Sequence, residues 1–505
     1  MNSYRSLRIA LLGAGSVGSQ VARLLLEHAD ELAARVGAPL ELVGIGVRDV
    51  DAQRDVDLPR ELMTSDLGTL VASADIVVEL LGGIEPARTL LLDALGSGAD
   101  VVTANKALVA AHGPELFHAA EILGAQVAYE AAVGGAIPII RPLEQSLAGD
   151  RVTRVMGIVN GTTNFILDRM HTEGSSLADA LRVATELGYA EADPTADIEG
   201  FDAASKATIL ASLAFHTAVP GALVHREGIT GITDAMVAQA ERTGRVLKLV
   251  AICERLPGEG GDRVSARVHP VSLPATHPLA AVREAKNAIF VTAEAAGDLM
   301  FYGAGAGGPE TASAVLGDLV SIARRHVLGG PGAASSTHAD LPIAPFGDVL
   351  ARHELALTVA DRPGVLAAVA GLFAEHGVSP EALFWRRGRQ PLRFAALTAH
   401  IDASLESVLD YGCGLGHLHA FLSERDGPPH YHGVDVVPEF VESCRARMPD
   451  ARFTLTSGDA LDLPTADHVV LSGVFNMKYS ADDAAHWQHI QTVLERLFAV
   501  TRKTL

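Results

Sequence analysis

The chain has 505 residues, with 40 Lys+Arg against 61 Asp+Glu and a formal net charge of −21. At roughly 150 residues per domain this is enough for about three domains, and 48% hydrophobic with 20% charged residues is globular composition. The acid excess argues against sequence-independent nucleic-acid binding, which needs a basic footprint, and against a polybasic membrane contact. Three widely spaced cysteines, Cys253, Cys413 and Cys444, suggest neither a disulfide framework nor a zinc site. The N-terminus enters a strand pattern directly, without the features of a signal peptide. The most apolar later run, residues 207–224, is interrupted by His216 and Pro220 and falls short of a membrane span. The expectation is a cytoplasmic, homo-oligomeric enzyme with a small-molecule substrate and no nucleic-acid or membrane partner.

Residues 1–150 alternate short apolar strands (LRIALLG, ELVGIGV, ADIVVELLG, DVVTAN, AQVAYEAAVGG) with helical stretches. Such alternation predicts an α/β fold with a doubly wound parallel sheet. The loop Gly13-Ala14-Gly15-Ser16-Val17-Gly18 follows the first strand and opens a helix, which is the context a dinucleotide requires. Gly13 permits the turn, Gly15 admits the pyrophosphate, and Gly18 lets helix and strand pack. The helix N-terminus offers free N–H groups to phosphate. After the second strand, Arg48 could pair with a 2′-phosphate and Asp49 with a free ribose hydroxyl; the cofactor is NADP or NAD, with Arg48 favouring NADP. Thr103-Ala104-Asn105-Lys106 lies beyond the strand DVV, at the carboxyl edge where ligands of such sheets bind.

Residues 151–330 form a second domain of longer α+β elements. Within it, Glu191, Asp197, Asp202 and Lys206 gather in one stretch. Asp202 and Lys206 are spaced i, i+4 and share a helix face, and that helix continues into the buried-looking ATILASLAF. Buried charges persist when they are paired or used. Carboxylates for an ammonium and a lysine for a carbonyl oxygen suit a small zwitterionic ligand.

The pattern Ala184-x3-Gly188-Tyr-Ala-x2-Asp193-Pro-x2-Asp197-Ile-x-Gly200-x-Asp202-x3-Lys206 resembles the signature of homoserine dehydrogenases. TANKALVA, YEAAVGGAIPII, GIVNGTTNFIL and FYGAGAGGPETASAVLGDL support it in order, over about residues 5–345. The resemblance implies NAD(P)-dependent interconversion of L-homoserine and L-aspartate 4-semialdehyde, toward threonine, methionine and isoleucine. It implies Lys206 as proton donor, Lys106 as a second catalytic lysine beside the nicotinamide, and Glu191, Asp197 and Asp202 as substrate ligands. Gly82, Thr103, Gly303 and Gly305 fall on the cofactor side. A monovalent cation (Na or K) would fall on Glu130, Val133, Gly135 and Ile137, as a carboxylate plus carbonyls. Ala136 stands where the family shows a glycine, so a positive φ there would strain this chain.

Residues 331–352 read as a linker. Residues 353–406 resemble part of an ACT regulatory domain, through Leu355-x5-Asp361-Arg-Pro-Gly364, with Arg393–Ala399 as a strand; the resemblance implies an amino-acid effector. Residues 407–505 resemble part of a class I S-adenosylmethionine methyltransferase: Asp410-Tyr-Gly412-Cys-Gly414-Leu-Gly416, Asp435 after the second strand, Gly458-Asp459-Ala460, and a fourth strand in HVVLSGVFN. No candidate is seen for the last three strands. Two other readings stand beside the dehydrogenase: a methyltransferase with residues 1–345 as scaffold, and a non-catalytic amino-acid sensor. Neither needs Lys106 or Lys206.

Overall fold

The structure, a computed structural model, describes residues 4–258, 260–329, 337–349, 351–352, 365–375, 394, 397–398, 401, 406–423, 430–456, 463–471 and 483–504. Two compact units divide the chain, Met1–Arg352 and His353–Leu505. No helix among the described residues is long and apolar enough to cross a membrane.

In the first unit, Leu-, Ile- and Val-rich runs buried on both faces make a parallel sheet. Its strands are β1 (Leu7–Leu12), β2 (Leu40–Gly46), β3 (Met63–Thr64), β4 (Ile76–Glu79), β5 (Asp100–Thr103) and β6 (Val127–Ala128), in the order β3-β2-β1-β4-β5-β6. The helices between them are α1 (Ser16–Glu27), α2 (Ala29–Val36), α3 (Leu67–Ala72), α4 (Ala87–Gly96) and α5 (Lys106–Leu123). The order reverses between β1 and β4, so a ligand crevice lies outside their carboxyl ends. The two-residue β3 is too short to carry a sequence signal and pairs only Met63 and Thr64 with Ile45 and Gly46.

The second layer contains β7 (Val152–Ile158), α6 (Gly161–Glu173), α7 (Leu177–Glu186), α8 (Thr195–Ile198), α9 (Phe201–Ala214), β8 (His225–Arg226), α10 (Asp234–Arg242), β9 (Arg245–Leu256), β10 (Arg263–Pro274), β11 (Lys286–Ala293) and β12 (Gly297–Ala304). The sheet order is β12-β11-β7-β9-β10-β8, antiparallel except for the β8–β10 pair. Side chains of α6, α9 and α10 share one core with β7, β9, β10 and β11. The final helix, α11 (Gly308–Leu328), returns to the first sheet, where Ala312, Val315, Leu319 and Ile322 join Ile9, Leu11 and Val21. The chain stretch 151–330 therefore contributes its last helix to the dinucleotide-type layer.

One buried network secures α6. Lys248 in β9 is wholly buried, and its Nζ donates to Asn164 Oδ1 of α6 at 2.9 Å and to the Val282 carbonyl at 2.6 Å. Asn164 Nδ2 donates in turn to the Glu284 carbonyl at 2.7 Å. The sheet, the helix and the turn before β11 are thus tied at one point.

In the second unit, β13 (Ser407–Tyr411), β14 (His430–Asp435), β15 (Arg452–Leu455), β16 (Ala466–Leu471) and β17 (Thr501–Thr504) form a parallel sheet in the order β15-β14-β13-β16-β17. A fifth strand was not expected; its residues, TRKT, are polar, and only pairing with β16 makes them a strand. Of the ACT-like stretch the helix Val365–Glu375 is described, whereas 353–364 lies outside the described residues, as does Gly458-Asp459-Ala460. Within the stretch read as the strand 393–399, the Phe394 carbonyl accepts from the Thr398 N–H at 3.0 Å. That is an i, i+4 bond, a helical turn.

Burial pushes the Lys248 ammonium down to about 8 from 10.5. Between those values the folded lysine is neutral and the unfolded one protonated, so its contribution to stability rises with pH across that window. The Lys248→Met variant should lack this rise, seen as the difference between wild-type and variant urea midpoints from about pH 7.5 to 10.5.

Candidate active site

The glycine loop stands at the sheet's carboxyl edge, and its three glycines meet different demands. Gly13 has φ +103°, and a Cβ on it would lie 2.6 Å from the Leu80 carbonyl oxygen. A Cβ on Gly18 would strike the Gly13 carbonyl oxygen, while one on Gly15 meets nothing within 4 Å. Gly13 and Gly18 close the turn against protein, and Gly15 faces open space. Gly15 caps α1 without a side-chain bond, so the N–H groups of Ser16, Val17 and Gly18 remain for an anion. Ser19 Oγ donates to the Ala14 carbonyl at 2.9 Å and pins the loop. Open cradle and bare helix end together fit a pyrophosphate.

Beyond β2, Arg48 is exposed and makes no hydrogen bond among the described residues, while Asp49 Oδ1 accepts from the Asp51 N–H at 2.9 Å. On the other side of the crevice, the buried Glu79 organises the expected cofactor residues. Its Oε1 accepts from the Leu81 and Gly82 N–H groups at 2.7 and 3.2 Å, and its Oε2 from Thr103 Oγ1 at 2.6 Å. Sequence reasoning passed over Glu79. Its signal was an acid closing the apolar run DIVVE, which burial obliges to find donors.

Asn105 caps α5, accepting from the Leu108 N–H at 3.1 Å, and so places Lys106 at the first turn. Lys106 Nζ pairs with Asp202 Oδ1, across to α9. Asp202 Oδ2 accepts from Lys206 Nζ at 2.8 Å, and Lys206 Nζ also donates to the Val159 carbonyl at 2.7 Å. Burial would push the Asp202 carboxyl up, but the Lys206 and Lys106 charges outweigh it and hold the group well below the usual carboxylate range. Asn160, the cap of α6, donates through Nδ2 to Asp197 Oδ1 at 2.6 Å and to Asp202 Oδ2 at 3.0 Å. The expected Lys106, Lys206, Asp197 and Asp202 are thus joined directly or through Asn160. Glu191 is exposed and shares no bond with them. Asn160 was not singled out, although it lies in GIVNGTTNFIL just after a strand, where Asn is a good helix cap.

The expected cation loop differs in one respect from its reading. The Glu130 carboxylate accepts from the N–H groups of Ile139, Ile140 (2.7 Å) and Arg141 (3.1 Å) and from Arg141 Nε (2.9 Å). It caps the following helical turn and is committed there. No group of three or more His, Cys, Asp or Glu side chains among the described residues is placed to hold a metal. What the loop offers is carbonyl oxygen: those of Val133, Gly135 and Ile137 accept no backbone hydrogen bond among the described residues. Gly135 takes the positive φ, +60°, and Ala136 does not, so alanine brings no strain. The Ala136 N–H donates to the Ala304 carbonyl at 3.1 Å, and a Cβ on Gly303 would come within 3.2 Å of Ile137. Gly305 likewise leaves no room for a Cβ, since the Asn287 amide packs on it.

A dinucleotide cradle beside a buried lysine–carboxylate cluster defines an NAD(P)-dependent oxidoreductase. Residues 13–130 match the family description "Homoserine dehydrogenase, NAD binding domain", and residues 138–320 match "Homoserine dehydrogenase". The chain is 57% identical over 404 residues to homoserine dehydrogenase of Corynebacterium glutamicum, covering 79% of this chain and 90% of that one. It is 54% identical over 412 residues to the enzyme of Mycobacterium tuberculosis, covering 80% and 93%. Among solved structures, a homoserine dehydrogenase from Thiobacillus denitrificans superposes with TM-score 0.70 at 39% identity, over 76% of this chain and 90% of that one. A hyperthermophilic archaeal homoserine dehydrogenase in complex with NADPH gives TM-score 0.54 at 29% identity, over 65% and 99%. The chain belongs to the homoserine dehydrogenase family. Residues 408–503 match a family described as "Methyltransferase domain".

The glycines can be told apart by experiment. Gly18→Ala overpacks the turn and should cost about 1–3 kcal/mol of stability, read as a fall in Tm. Gly15→Ala should leave Tm unchanged and weaken dinucleotide binding about tenfold or more, measured by quenching of protein fluorescence, because its methyl group occupies space that only the pyrophosphate uses.

Proposed function

We propose that this chain interconverts L-homoserine and L-aspartate 4-semialdehyde, in the route to threonine, methionine and isoleucine. The observation that carries the reading is the buried Asp202 carboxylate held between Lys106 and Lys206. The bound dinucleotide supplies or accepts the hydride. The chain's own part is to hold the substrate and move a proton. An ammonium has three donors, and two of those on Lys206 are taken by Asp202 and Val159. The third is left for the substrate oxygen, to which it passes a proton as the aldehyde carbon is reduced. In the reverse direction the same amine takes that proton back. Asp202 keeps Lys206 oriented, Lys106 stands at the cofactor side, and Asp197, with Glu191 at the rim, receives the substrate ammonium. Fixed geometry of this kind supplies a large share of the rate.

NADP is the preferred cofactor in this reading, because the unengaged Arg48 guanidinium can bind a 2′-phosphate bidentately. A monovalent cation would be held by the backbone carbonyls of Val133, Gly135 and Ile137. The test is the nicotinamide absorbance with homoserine and each cofactor. Turnover should appear with a preference for NADP that Arg48→Ala removes. The Lys206→Ala chain should bind NADP as tightly as wild type and turn over at least about 100-fold more slowly.

In the second unit, Gly412, Gly414 and Gly416 all have positive φ, and Gly414 faces open space. Asp435 steadies the loop, accepting from the Gly414 N–H at 2.8 Å and the Val437 N–H at 3.0 Å. We read this as a site that binds S-adenosylmethionine without transferring its methyl group. Calorimetry on the intact chain should detect binding, and a labelled-methyl assay should detect no transfer.

A further inference from the structure

We infer that Asn160 is a positioning residue for the reaction: its amide clamps Asp197 to Asp202 and aims Asp202 at the two lysines. The inference rests on the function proposed above.

Asn160 is 6% exposed and sits between β7 and α6. Its amide orientation is determined by its neighbours. Oδ1 accepts from the Thr163 N–H at 2.8 Å and Thr163 Oγ1 at 2.9 Å, which leaves Nδ2 for the acids. The opposite orientation would set Oδ1 against two carboxylates. Both hydrogens of Nδ2 are then used, one on each carboxylate. The clamp brings together two acids that would otherwise repel each other. Asp202 is faced by Lys106 from α5, Lys206 from α9, and Asn160 from α6. Asp197, from α8, is held by Asn160 alone among the side-chain bonds described. The residue before Asn160 completes the arrangement, since the Val159 carbonyl accepts from Lys206. One two-residue segment, Val159–Asn160, therefore touches both acids and the proposed proton donor.

Asn160 also caps α6, and the two roles can be separated. Ser and Asp cap helices about as well as Asn, so Asn160→Ser and Asn160→Asp keep an acceptor for the Thr163 N–H while removing the bridging donor. Without that donor Asp202 is a weaker acid, so the active, ionised form is lost at a higher pH on the acid side. Three readouts follow for each variant with NADP and homoserine: Tm, NADP affinity, and the pH profile of kcat/KM. We expect NADP affinity near wild type in both variants, with Tm near wild type in Asn160→Ser and lower in Asn160→Asp, whose added carboxylate meets Asp197 and Asp202. In both, kcat/KM should be lower by about 100-fold, the scale of a small misplacement, with an acid limb moved to higher pH. Asn160→Ala, which loses both roles, should in addition lower Tm.

A kcat/KM and acid limb at wild-type values in Asn160→Ser or Asn160→Asp would overturn the clamp and leave Asn160 as a helix cap. Failure of both cap-preserving variants to fold would overturn the separation on which the inference stands. Wild-type turnover, measured in the same series, distinguishes the two levels. Its absence overturns the proposed function, whereas its presence with unmoved profiles overturns the clamp alone.

Discussion

A buried negative charge at Asp202 is the constraint around which the first unit is built. A carboxylate out of water must be paired and hydrogen-bonded or it protonates. Here its partners come from three elements: Lys106 at the start of α5, Lys206 on α9 and Asn160 at the start of α6. The first belongs to the dinucleotide-type layer and the other two to the second layer. Satisfying one charge thus sets the distance between the layers at the point where a hydride would cross. It also keeps Lys206 in a defined direction with one proton unspent.

Close backbone approach does the corresponding work on the cofactor side. Gly13 lies against the Leu80 carbonyl, Gly308 at the start of α11 against the Ser16 carbonyl, and Gly135 against Gly305. Side chains at these places would force the loops apart. Their absence lets α11, the 133–137 loop and the glycine loop come together although they are far apart in sequence. Below them, Asp318 of α11 accepts from the Glu130 N–H at 2.7 Å, linking the returning helix to the 130–137 loop.

The second unit shows how far a parallel sheet can be recognised from its loops. Asp410 is fully buried, and burial pushes its carboxyl up to about 7 while the Tyr431 hydroxyl donates to it at 2.6 Å. Asp435 spends its oxygens on the Gly414 N–H of the loop after β13 and on the Val437 N–H at its own helix entry. Both acids stood out in the sequence through the resemblance of their stretches to methyltransferase motifs. Their hydrogen-bond partners did not, since they come from neighbouring strands and loops.

By itself the sequence determined the alternation of strands and helices in residues 1–150, the Gly13–Gly18 turn and the pairing of Asp202 with Lys206. Each of these depends on residues within one turn or one strand, where periodicity and backbone sterics act locally. Tertiary structure decided the rest. It sent α11 back to the first sheet, made a strand of Thr501–Thr504, and spent the Glu130 carboxylate on a helix end. It also left Glu191 exposed, and set Glu79 and Asn160 among the polar groups they organise. In most of these cases a deciding partner lies outside the local turn or strand, and which buried polar group meets which is settled only when the layers close.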